Sequence, residues 1–311
     1  MTAYNYDANR DEADLLDSAE DIDLEVPLPL VRRFFDRGMT VLAIVLAIAA
    51  IIPLFSVLKE IIQRGLSGLS IHVFTSLPAA VGEANVISGF GNAIQGTMVM
   101  VSIASLVSIP LGILTAIFLA EFGQAGWLTR SIRFILTVLS GVPSIVVGVF
   151  AYALIVLNTI AGYRGFSALA GSVALMVIML PIVALSTEEA LKLVPVPQRL
   201  GSSALGGNRF DTTFRIVLPS ALAGITTGCL LAVSRAAGET APLIFTALFS
   251  QDWMTSIMDP VASLPVLIYN YASSPFAEQN AMAWTASLVL LVLVLVTNIL
   301  SRIATRKRAG R

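Results

Sequence analysis

A chain of 311 residues that is 56% hydrophobic and 13% charged, with a mean hydropathy of +0.85, does not have the composition of a water-soluble globular protein. The net charge of -1 says little about partners, because the charged residues are confined to particular segments. The only cysteine, Cys229, excludes an intrachain disulfide, and the only histidine, His72, leaves little basis for a histidine-based metal site or a Ser/His catalytic triad.

Residues 1–30 differ in composition from the rest of the chain. Nine carboxylates lie between Asp7 and Glu25, against a single basic residue, Arg10. A secretory signal has a basic start followed by an apolar core, so this segment does not have the pattern of one. We expect a disordered cytoplasmic tail, with an acidic docking arm as the alternative.

Six apolar stretches reach the roughly 20 residues that a helix needs to cross a bilayer. They cover residues 39–58, 92–119, 132–157, 166–186, 218–249 and 281–300. We therefore predict an all-α integral membrane protein with six transmembrane helices within residues 31–303, followed by a basic tail at 304–311. Prolines and glycines in the second to fifth stretches have two interpretations: close helix packing, or interrupted helices that line a cavity.

The basic residues indicate the orientation of these helices. With the N-terminus in the cytoplasm, fifteen of the nineteen lysine and arginine residues fall on the cytoplasmic side, and the loop 251–280 on the opposite side has none. This distribution follows the positive-inside tendency, so we expect both termini in the cytoplasm.

The fifth stretch carries two charged residues, Arg235 and Glu239, near its middle. An ionisable residue within a membrane is costly, so it is read by default as a pathway or site residue with a partner nearby. The spacing of four residues puts both side chains on one face of a helix. We predict an intramembrane Arg235–Glu239 pair; a static ion pair that joins this helix to a neighbour is the alternative.

The polar connection 187–215, between the fourth and fifth stretches, is conspicuously long. Its second half has the composition of a short helix that ends at Gly206 and Gly207, and Asp211 is a candidate N-cap for the helix that follows. A short helix on the cytoplasmic face is either a docking element or an ordinary solvated surface helix.

This connection resembles the cytoplasmic loop of ABC importer permeases, whose pattern is Glu-Ala-Ala, three residues, Gly, nine residues and Ile-x-Leu-Pro. Here Gly206 is followed by nine residues and then by IVLP at 216–219, whereas Leu-Gly-Ser stands at 200–202 in place of Glu-Ala-Ala. The resemblance implies a coupling helix that docks into an ATPase subunit. The positions that we assign to this coupling loop are Arg199, Ser202, Ala204, Leu205, Gly206, Gly207, Arg209, Phe210, Asp211, Ile216, Leu218 and Pro219.

Four segments resemble the A-type permease subunit of phosphate-specific (Pst) ABC importers. They are GNAIQGT at 91–97, IPLGILTAIFLAEFG at 109–123, GVPSIVVGVF at 141–150 and SRAAGETAPLIFTA at 234–247. The Gly-Glu-Thr-Ala-Pro run in the last segment is the most specific of these. The resemblance implies a type I ABC-importer permease fold in the bacterial inner membrane, with the coupling helix between helices 4 and 5, and inorganic phosphate as the transported substrate.

The same resemblance implies the partners: a C-type permease in a heterodimer, two ABC ATPase subunits and a phosphate-binding protein. The chain has no G-x-x-x-x-G-K-[ST] motif, so we expect ATP and Mg on the ATPase subunits and no catalytic residue, metal or cofactor here. No nucleic-acid partner is expected. Segment 251–280 is expected to contact the binding protein, although its surrounding aromatic residues also suit an interfacial belt: Trp253, Tyr269, Tyr271 and Trp284.

With phosphate as the substrate, the intramembrane pair acquires a specific role. A guanidinium offers two parallel donors to two phosphate oxygens, so we expect Arg235 to make a transient substrate contact, with Glu239 as its resting counter-ion. Thr240, in the same Gly-Glu-Thr run, is assigned to the same path. Gly238 and Pro242 are expected to loosen the helix locally.

Three alternatives remain open. The first is a permease for another oxyanion, such as molybdate, sulfate or phosphonate. The second is an intramembrane enzyme, for which the apolar stretches offer only Arg235, Glu239, Cys229 and hydroxyl groups. The third is a non-transporting membrane assembly or signalling subunit.

Overall fold

The computed structural model describes residues 30–80, 88–123, 126–158 and 165–309, with the backbone only at residues 300 and 304–309. Within these ranges every regular element is a helix, as the sequence predicts. The helices are α1 (Leu30–Ser67), α2 (His72–Thr75), α3 (Gly91–Ile117), α4 (Trp127–Gly141), α5 (Ser144–Ala151), α6 (Ala168–Lys192), α7 (Val196–Ala204), α8 (Arg209–Thr212), α9 (Leu218–Gly238), α10 (Ala241–Thr246), α11 (Leu264–Ala272) and α12 (Ala277–Ala309). Three π-helical turns continue α3, α5 and α8: Phe118–Phe122, Tyr152–Val156 and Thr213–Val217. The predicted acidic tail lies, except for Leu30, outside the described residues.

Among the described residues, five helices are long and apolar enough to cross a membrane: Leu30–Ser67, Gly91–Phe122, Ala168–Lys192, Arg209–Gly238 and Ala277–Ile303. The third predicted stretch, 132–157, instead falls on two arms, Trp127–Gly141 and Ser144–Val156, that bend by 104°. It makes a sixth span only if both arms belong to one broken crossing. The fifth predicted stretch, 218–249, is also wrong as one helix, because α9 ends at Gly238.

Not every proline in the apolar stretches interrupts its helix. Pro110 lies inside α3 and Pro181 inside α6, and both helices continue past them. The chain departs from helix at residues 142–143, before α5, and at residues 239–240, before α10. Interrupted helices are therefore a feature of the third and fifth predicted stretches, not of the second and fourth.

Helix α6 is the central helix of the core. Its sequence is apolar around its whole circumference, which is typical of a helix that is buried on all sides. In an 18-residue apolar segment of α6, 61% of the residues are buried, compared with 33% in α3 and 29% in α12. The outer helices therefore keep faces available for lipid or a partner chain. The main cluster joins α6 to α3, α9 and α10, with fully or nearly fully buried members that include Met100, Leu175, Met179, Ala236 and Leu243.

The chain divides into two compact units, Met1–Leu58 and Lys59–Arg311. The described part of the first unit is the long initial portion of α1, whose large apolar side chains are exposed, as a lipid-facing helix requires. In the second unit, the Arg64 guanidinium at the end of α1 lies 5.2 Å from the ring centroid of Trp284 on α12. All sites described below belong to the second unit.

The segment that follows α10 is mostly exposed up to residue 260 and buried from residue 261 onward. Residues 261–264 are at most 1% exposed, and the Val261 N–H donates to the Ala247 carbonyl at 3.1 Å. The first turn of α6 donates to the same segment, since the Ala168 N–H bonds to the Asp259 carbonyl at 3.0 Å. Part of the predicted external loop 251–280 is thus buried within the protein. Tyr271 is only 4% exposed and offers no free surface to another protein.

The GNAIQGT motif at the start of α3 holds this segment in place. The buried Asn92 side chain donates from Nδ2 to the Ser250 carbonyl at 3.0 Å. At the other end of the motif, the Leu264 N–H donates to Thr97 Oγ1 at 2.8 Å. One of the segments that carry the family resemblance therefore serves to fix residues 250–264 against α3.

Candidate functional site

Arg235 and Glu239 form an ion pair at a helix break. Arg235 lies in the last turn of α9, and Glu239 is the first residue beyond it, with an extended backbone at ψ 123°. Arg235 Nε lies 3.3 Å from Glu239 Oε1. The expectation that both residues lie on one continuous helical face is wrong, although the pair itself is present. A cation in the last turn also suits the negative end of the helix dipole.

The break after Gly238 is stabilised by its surroundings. Pro242 occupies the first turn of α10, where a missing N–H costs nothing because that group has no helical partner. Its Cα packs so closely on Gly148 of α5 that a β-carbon at position 148 would collide with it. The two broken stretches, which contain GVPSIVVGVF and GETAPLIF, therefore meet where Gly148 of α5 contacts the first turn of α10.

A cavity of about 220 Å³ lies between α3, α9 and α12. Its walls are apolar side chains interspersed with five hydroxyl groups, those of Thr97, Ser102, Ser105, Ser234 and Thr297. Asn298 Nδ2 donates to Ser234 Oγ at 2.8 Å, which fixes one of these hydroxyls. Ser105 Oγ is buried and has no hydrogen-bond partner within the described part of the chain. This cavity was not predicted from the sequence, because hydroxyls within apolar stretches are also ordinary packing residues.

The coupling loop contains a short helix, α7, that ends in a left-handed turn. Gly206 has φ 82°, a conformation that is open to glycine and unfavourable for a residue with a β-carbon. The Gly206 N–H donates to the Ser203 carbonyl at 3.0 Å and the Gly207 N–H to the Ser202 carbonyl at 2.9 Å, a Schellman motif. The predicted helix end at Gly206 and Gly207 is confirmed.

The next helix, α8, is capped by a residue other than the predicted one. Asn208 Oδ1 accepts from the Asp211 N–H at 2.8 Å, so Asn208 is the N-cap and the prediction of Asp211 was wrong. Asp211 instead lies in the first turn, with its Oδ1 3.3 Å from Arg215 Nε. From the sequence, Asn208 and Asp211 are both suitable N-caps for α8. The direction of the backbone after Gly207 decides that Asn208 takes this position.

The remaining coupling-loop positions fall on consecutive elements. Arg199, Ser202 and Ala204 belong to α7; Leu205 and the Gly206–Gly207 turn follow; Arg209, Phe210 and Asp211 form α8; Ile216 is in a π-helical turn; and Leu218 and Pro219 begin α9. Ser202 Oγ lies 2.8 Å from Thr212 Oγ1, which ties α7 to α8. Five large apolar side chains of the loop are strongly exposed: Leu193 at 82%, Val196 at 62%, Leu200 at 63%, Leu205 at 91% and Phe210 at 61%.

Two buried carboxylates near this loop were missed by the sequence reasoning. Glu121, in the π-helical turn after α3, accepts from Arg199 Nη1 at 2.5 and 2.6 Å. Glu188 of α6 accepts from Arg133 Nη2 of α4 at 2.6 Å. Glu121 closes an apolar stretch as a single charge in LAEFG, and that isolation was the available signal.

The structure does not bring the two predicted sites together. Leu218 and Arg235 lie at opposite ends of α9, and a rise of 1.5 Å per residue separates them by about 25 Å. Any effect of the coupling loop on Arg235 must therefore pass along helices. Within the described ranges, no group of three His, Cys, Asp or Glu side chains is placed to hold a metal ion.

Comparison with known proteins identifies the family. A family model described as "binding-protein-dependent transport system inner membrane component" matches residues 108–310. The phosphate transport system permease protein PstA of Yersinia pestis is 39% identical over 277 residues, which cover 89% of this chain and 92% of the relative. PstA of Xylella fastidiosa is 36% identical over 271 residues, covering 87% and 92% of the two chains.

A solved structure supports the fold. A chain of the bacterial alginate ABC transporter, in complex with an alginate pentasaccharide-bound periplasmic protein, superposes with a TM-score of 0.62 over 89% of this chain and 97% of that chain. At 13% identity this likeness concerns the fold alone. The chain has the type I ABC-importer permease fold, and it belongs to the binding-protein-dependent transport-system inner membrane components, within the group of PstA phosphate transport system permeases.

Proposed function

We propose that the chain is a permease subunit of an ATP-driven importer that carries inorganic phosphate across the bacterial inner membrane. The observation that carries this proposal is the relationship to PstA permeases over 89% of the chain. A phosphate-binding protein delivers the substrate, and a second permease of the C type completes the membrane part. Two ABC ATPase subunits hold ATP and Mg, so this chain needs no catalytic residue, metal or cofactor of its own.

Arg235 is the proposed phosphate contact. Its side chain is 54% exposed on this chain, whereas that of Glu239 is 14% exposed. A guanidinium that faced lipid would be very costly, so this exposure favours a polar path or the second permease as its surroundings. The single 3.3 Å contact to Glu239 is long, and phosphate can replace it with two shorter, parallel hydrogen bonds.

The hydroxyl-lined cavity is the proposed continuation of the path. Ser234, one of its lining residues, directly precedes Arg235, and Thr240 follows Glu239 at the same helix break. Neutral hydroxyl donors bind phosphate oxygens more weakly than cations do, which suits a passage that must release its substrate. The free Ser105 Oγ supports this role, because it is a buried donor with no partner among the described residues.

The exposed apolar side chains of the coupling loop are the proposed docking surface for an ATPase subunit. Leu205 and Phe210 project from the two sides of the Gly206–Gly207 turn, and the Phe210 ring packs on Phe214 with centroids 4.4 Å apart. Burial of such side chains against a partner removes apolar area from water and stabilises the complex. This assignment puts loop 187–215 and both termini in the cytoplasm, in agreement with the distribution of basic residues.

Phosphate uptake by the reconstituted complex tests the proposal. Arg235→Gln is expected to lower uptake by about ten- to a hundredfold, since it removes charged hydrogen bonds to the substrate, while Arg235→Lys retains an intermediate rate. Arg64→Gln is the matched control, because Arg64 and Glu60 form another half-exposed pair at a spacing of four residues. Co-purification with the partner subunits establishes that each variant assembles.

Two results would contradict the proposal. Wild-type uptake by an assembled Arg235→Gln complex would remove Arg235 from the path. The second result is a competition experiment in which excess molybdate, sulfate or phosphonate abolishes uptake of labelled phosphate. If the competitor is itself transported, the permease belongs to another oxyanion.

A further inference from the structure

Glu121 is a buried carboxylate at the junction between α3 and the coupling loop. It lies in the π-helical turn Phe118–Phe122, is 6% exposed, and receives both of its short hydrogen bonds from Arg199 of α7. Arg199 Nη2 also donates to the Leu191 carbonyl of α6 at 2.8 Å. One guanidinium thus joins the end of α3, the end of α6 and the coupling helix.

The second helix of the coupling loop contacts the same turn. The guanidinium carbon of Arg209, in α8, lies 5.7 Å from the ring centroid of Phe122, within the range of a cation–π contact. We call Glu121, Phe122, Arg199 and Arg209 the α3 latch. Both helices of the coupling loop therefore hold the end of α3, although α3 is distant from them in sequence.

The chemistry of the latch makes it stiff. A carboxylate that is buried this deeply depends on its partner, because separating the pair leaves an uncompensated charge away from water. Arg199 Nη1 contacts both carboxylate oxygens of Glu121, and Nη2 bonds the Leu191 carbonyl, so the rigid guanidinium is fixed between two elements. A displacement of α7 therefore carries the end of α3 with it, instead of stretching the contact.

The α3 latch connects the coupling loop to a helix that lines the cavity. Helix α3 supplies three hydroxyl-bearing residues to the proposed phosphate path: Thr97, Ser102 and Ser105. Helix α9, which the coupling loop enters directly, supplies Ser234 to a second wall. A movement of the loop thus reaches the α9 wall of the cavity through the chain itself and the α3 wall through the α3 latch.

We propose that Glu121 and Arg199 are positioning residues that transmit motion of the ATPase subunits to α3, so that both walls of the cavity move together. This inference rests on the proposed import function. It gives α3 a route of its own to the coupling loop, separate from the continuous path along α9. Neither residue contacts the substrate.

The Glu188–Arg133 pair provides a matched control. Glu188 is 2% exposed and its Oε1 lies 2.6 Å from Arg133 Nη2, so its burial and its charge resemble those of Glu121. Its partners belong to α4 and to α6 itself, where Lys192 Nζ lies 2.9 Å away. It therefore stabilises the same end of the helices without contacting α7 or α8 through its ion pairs.

The experiment compares two double variants in the assembled complex in proteoliposomes, Glu121→Gln with Arg199→Gln and Glu188→Gln with Arg133→Gln. Removing both charges of a pair avoids a buried lone charge, so assembly is expected to survive. The readout is the amount of phosphate imported per ATP hydrolysed. We expect this ratio to fall about tenfold in the latch variant and to stay within about twofold of wild type in the control.

The outcomes separate the inference from the proposed function. A latch variant that assembles and keeps the wild-type ratio overturns the transmission role, as does an equal loss in both double variants. A wild-type complex that imports no phosphate refutes the import function instead. If the latch variant does not assemble, Arg199→Lys decides: it keeps the charge but has no second nitrogen to bond the Leu191 carbonyl while the first bonds Glu121. An unchanged ratio of phosphate to ATP in this variant contradicts the inference.

Discussion

The two ends of α3 are held by different kinds of contact. At its start, which we call the Asn92 end, the contacts are neutral: Asn92 donates to the Ser250 carbonyl at 3.0 Å, and Thr97 accepts from the Leu264 N–H at 2.8 Å. At its finish, the Glu121 end, they are charged and reach the coupling loop through Arg199 and Arg209.

This difference separates a fixed attachment from a transmitting one. The neutral contacts at the Asn92 end involve backbone groups and short side chains, so they specify one close-packed arrangement and tolerate little movement of α3 relative to residues 250–264. At the Glu121 end, the contact to α7 is made through the long side chain of Arg199. Such a contact can follow a moving partner while it stays intact. A permease that is driven from one face needs both properties in the same helix.

The largest effect on stability is expected when only one partner of the charged pair at the Glu121 end is removed. Arg199→Gln leaves Glu121 buried without its guanidinium partner, which we expect to lower the free energy of unfolding by about 3–5 kcal/mol. The measurement is the midpoint of thermal unfolding of the complex in detergent. Arg215→Gln is the control, because Arg215 is 80% exposed in its 3.3 Å pair with Asp211. That control should change stability by less than about 1 kcal/mol, and equal effects of the two variants would show that burial of Glu121 is unimportant.

A smaller effect is expected at the neutral end. Thr97→Val keeps the shape of the side chain but deprives the buried Leu264 N–H of its acceptor, at a cost of about 1–3 kcal/mol. Thr97→Ser retains the hydroxyl and serves as the control. Limited proteolysis within residues 250–264, together with thermal unfolding, reports whether this segment has loosened. Equal protection of the two variants would mean that packing alone holds the segment on α3.

The smallest effect concerns the turn that aligns the two helices of the coupling loop. Gly206→Ala puts a β-carbon on a residue with φ 82°, which should cost about 1–2 kcal/mol. Gly201→Ala in α7 has open space for its methyl group and should be neutral or stabilising by up to about 1 kcal/mol. Thermal unfolding of the two variants gives the difference directly. If both alanine variants are equally stable, the left-handed turn does not limit the placement of Arg199 and Arg209.

Much of the fold was predictable because the bilayer restricts the possible structures. Runs of apolar residues had to become helices, and the long loop between the fourth and fifth stretches could be located from its polarity. Gly206 and Gly207 were identified as a helix end since few residues other than glycine adopt a left-handed turn. Proline alone did not locate the helix breaks, because Pro143 lies in the break before α5 whereas Pro110 and Pro181 lie in helices that continue past them.

The candidate sites likewise include residues that the sequence reveals and residues that only the structure reveals. Arg235 and Glu239 stand out in the sequence because charge within an apolar stretch is rare and costly. Glu121 and Glu188 lie at the ends of such stretches, where an exposed carboxylate is unremarkable, and only their burial reveals a role. The arginine partners of both are far away in sequence, 78 residues for Glu121 with Arg199 and 55 for Glu188 with Arg133.

By itself, the sequence determined the membrane class, the helical content, the position of the long polar loop between the fourth and fifth stretches, and the resemblance to phosphate permeases. Hydropathy, glycine geometry and local motifs are properties of adjacent residues. The tertiary structure alone decided that the Arg235–Glu239 pair lies at a helix break, that residues 261–264 are buried, and that Arg199 meets Glu121. These features depend on which helices pack together, since each requires a partner group that is distant along the chain or a backbone direction that packing imposes.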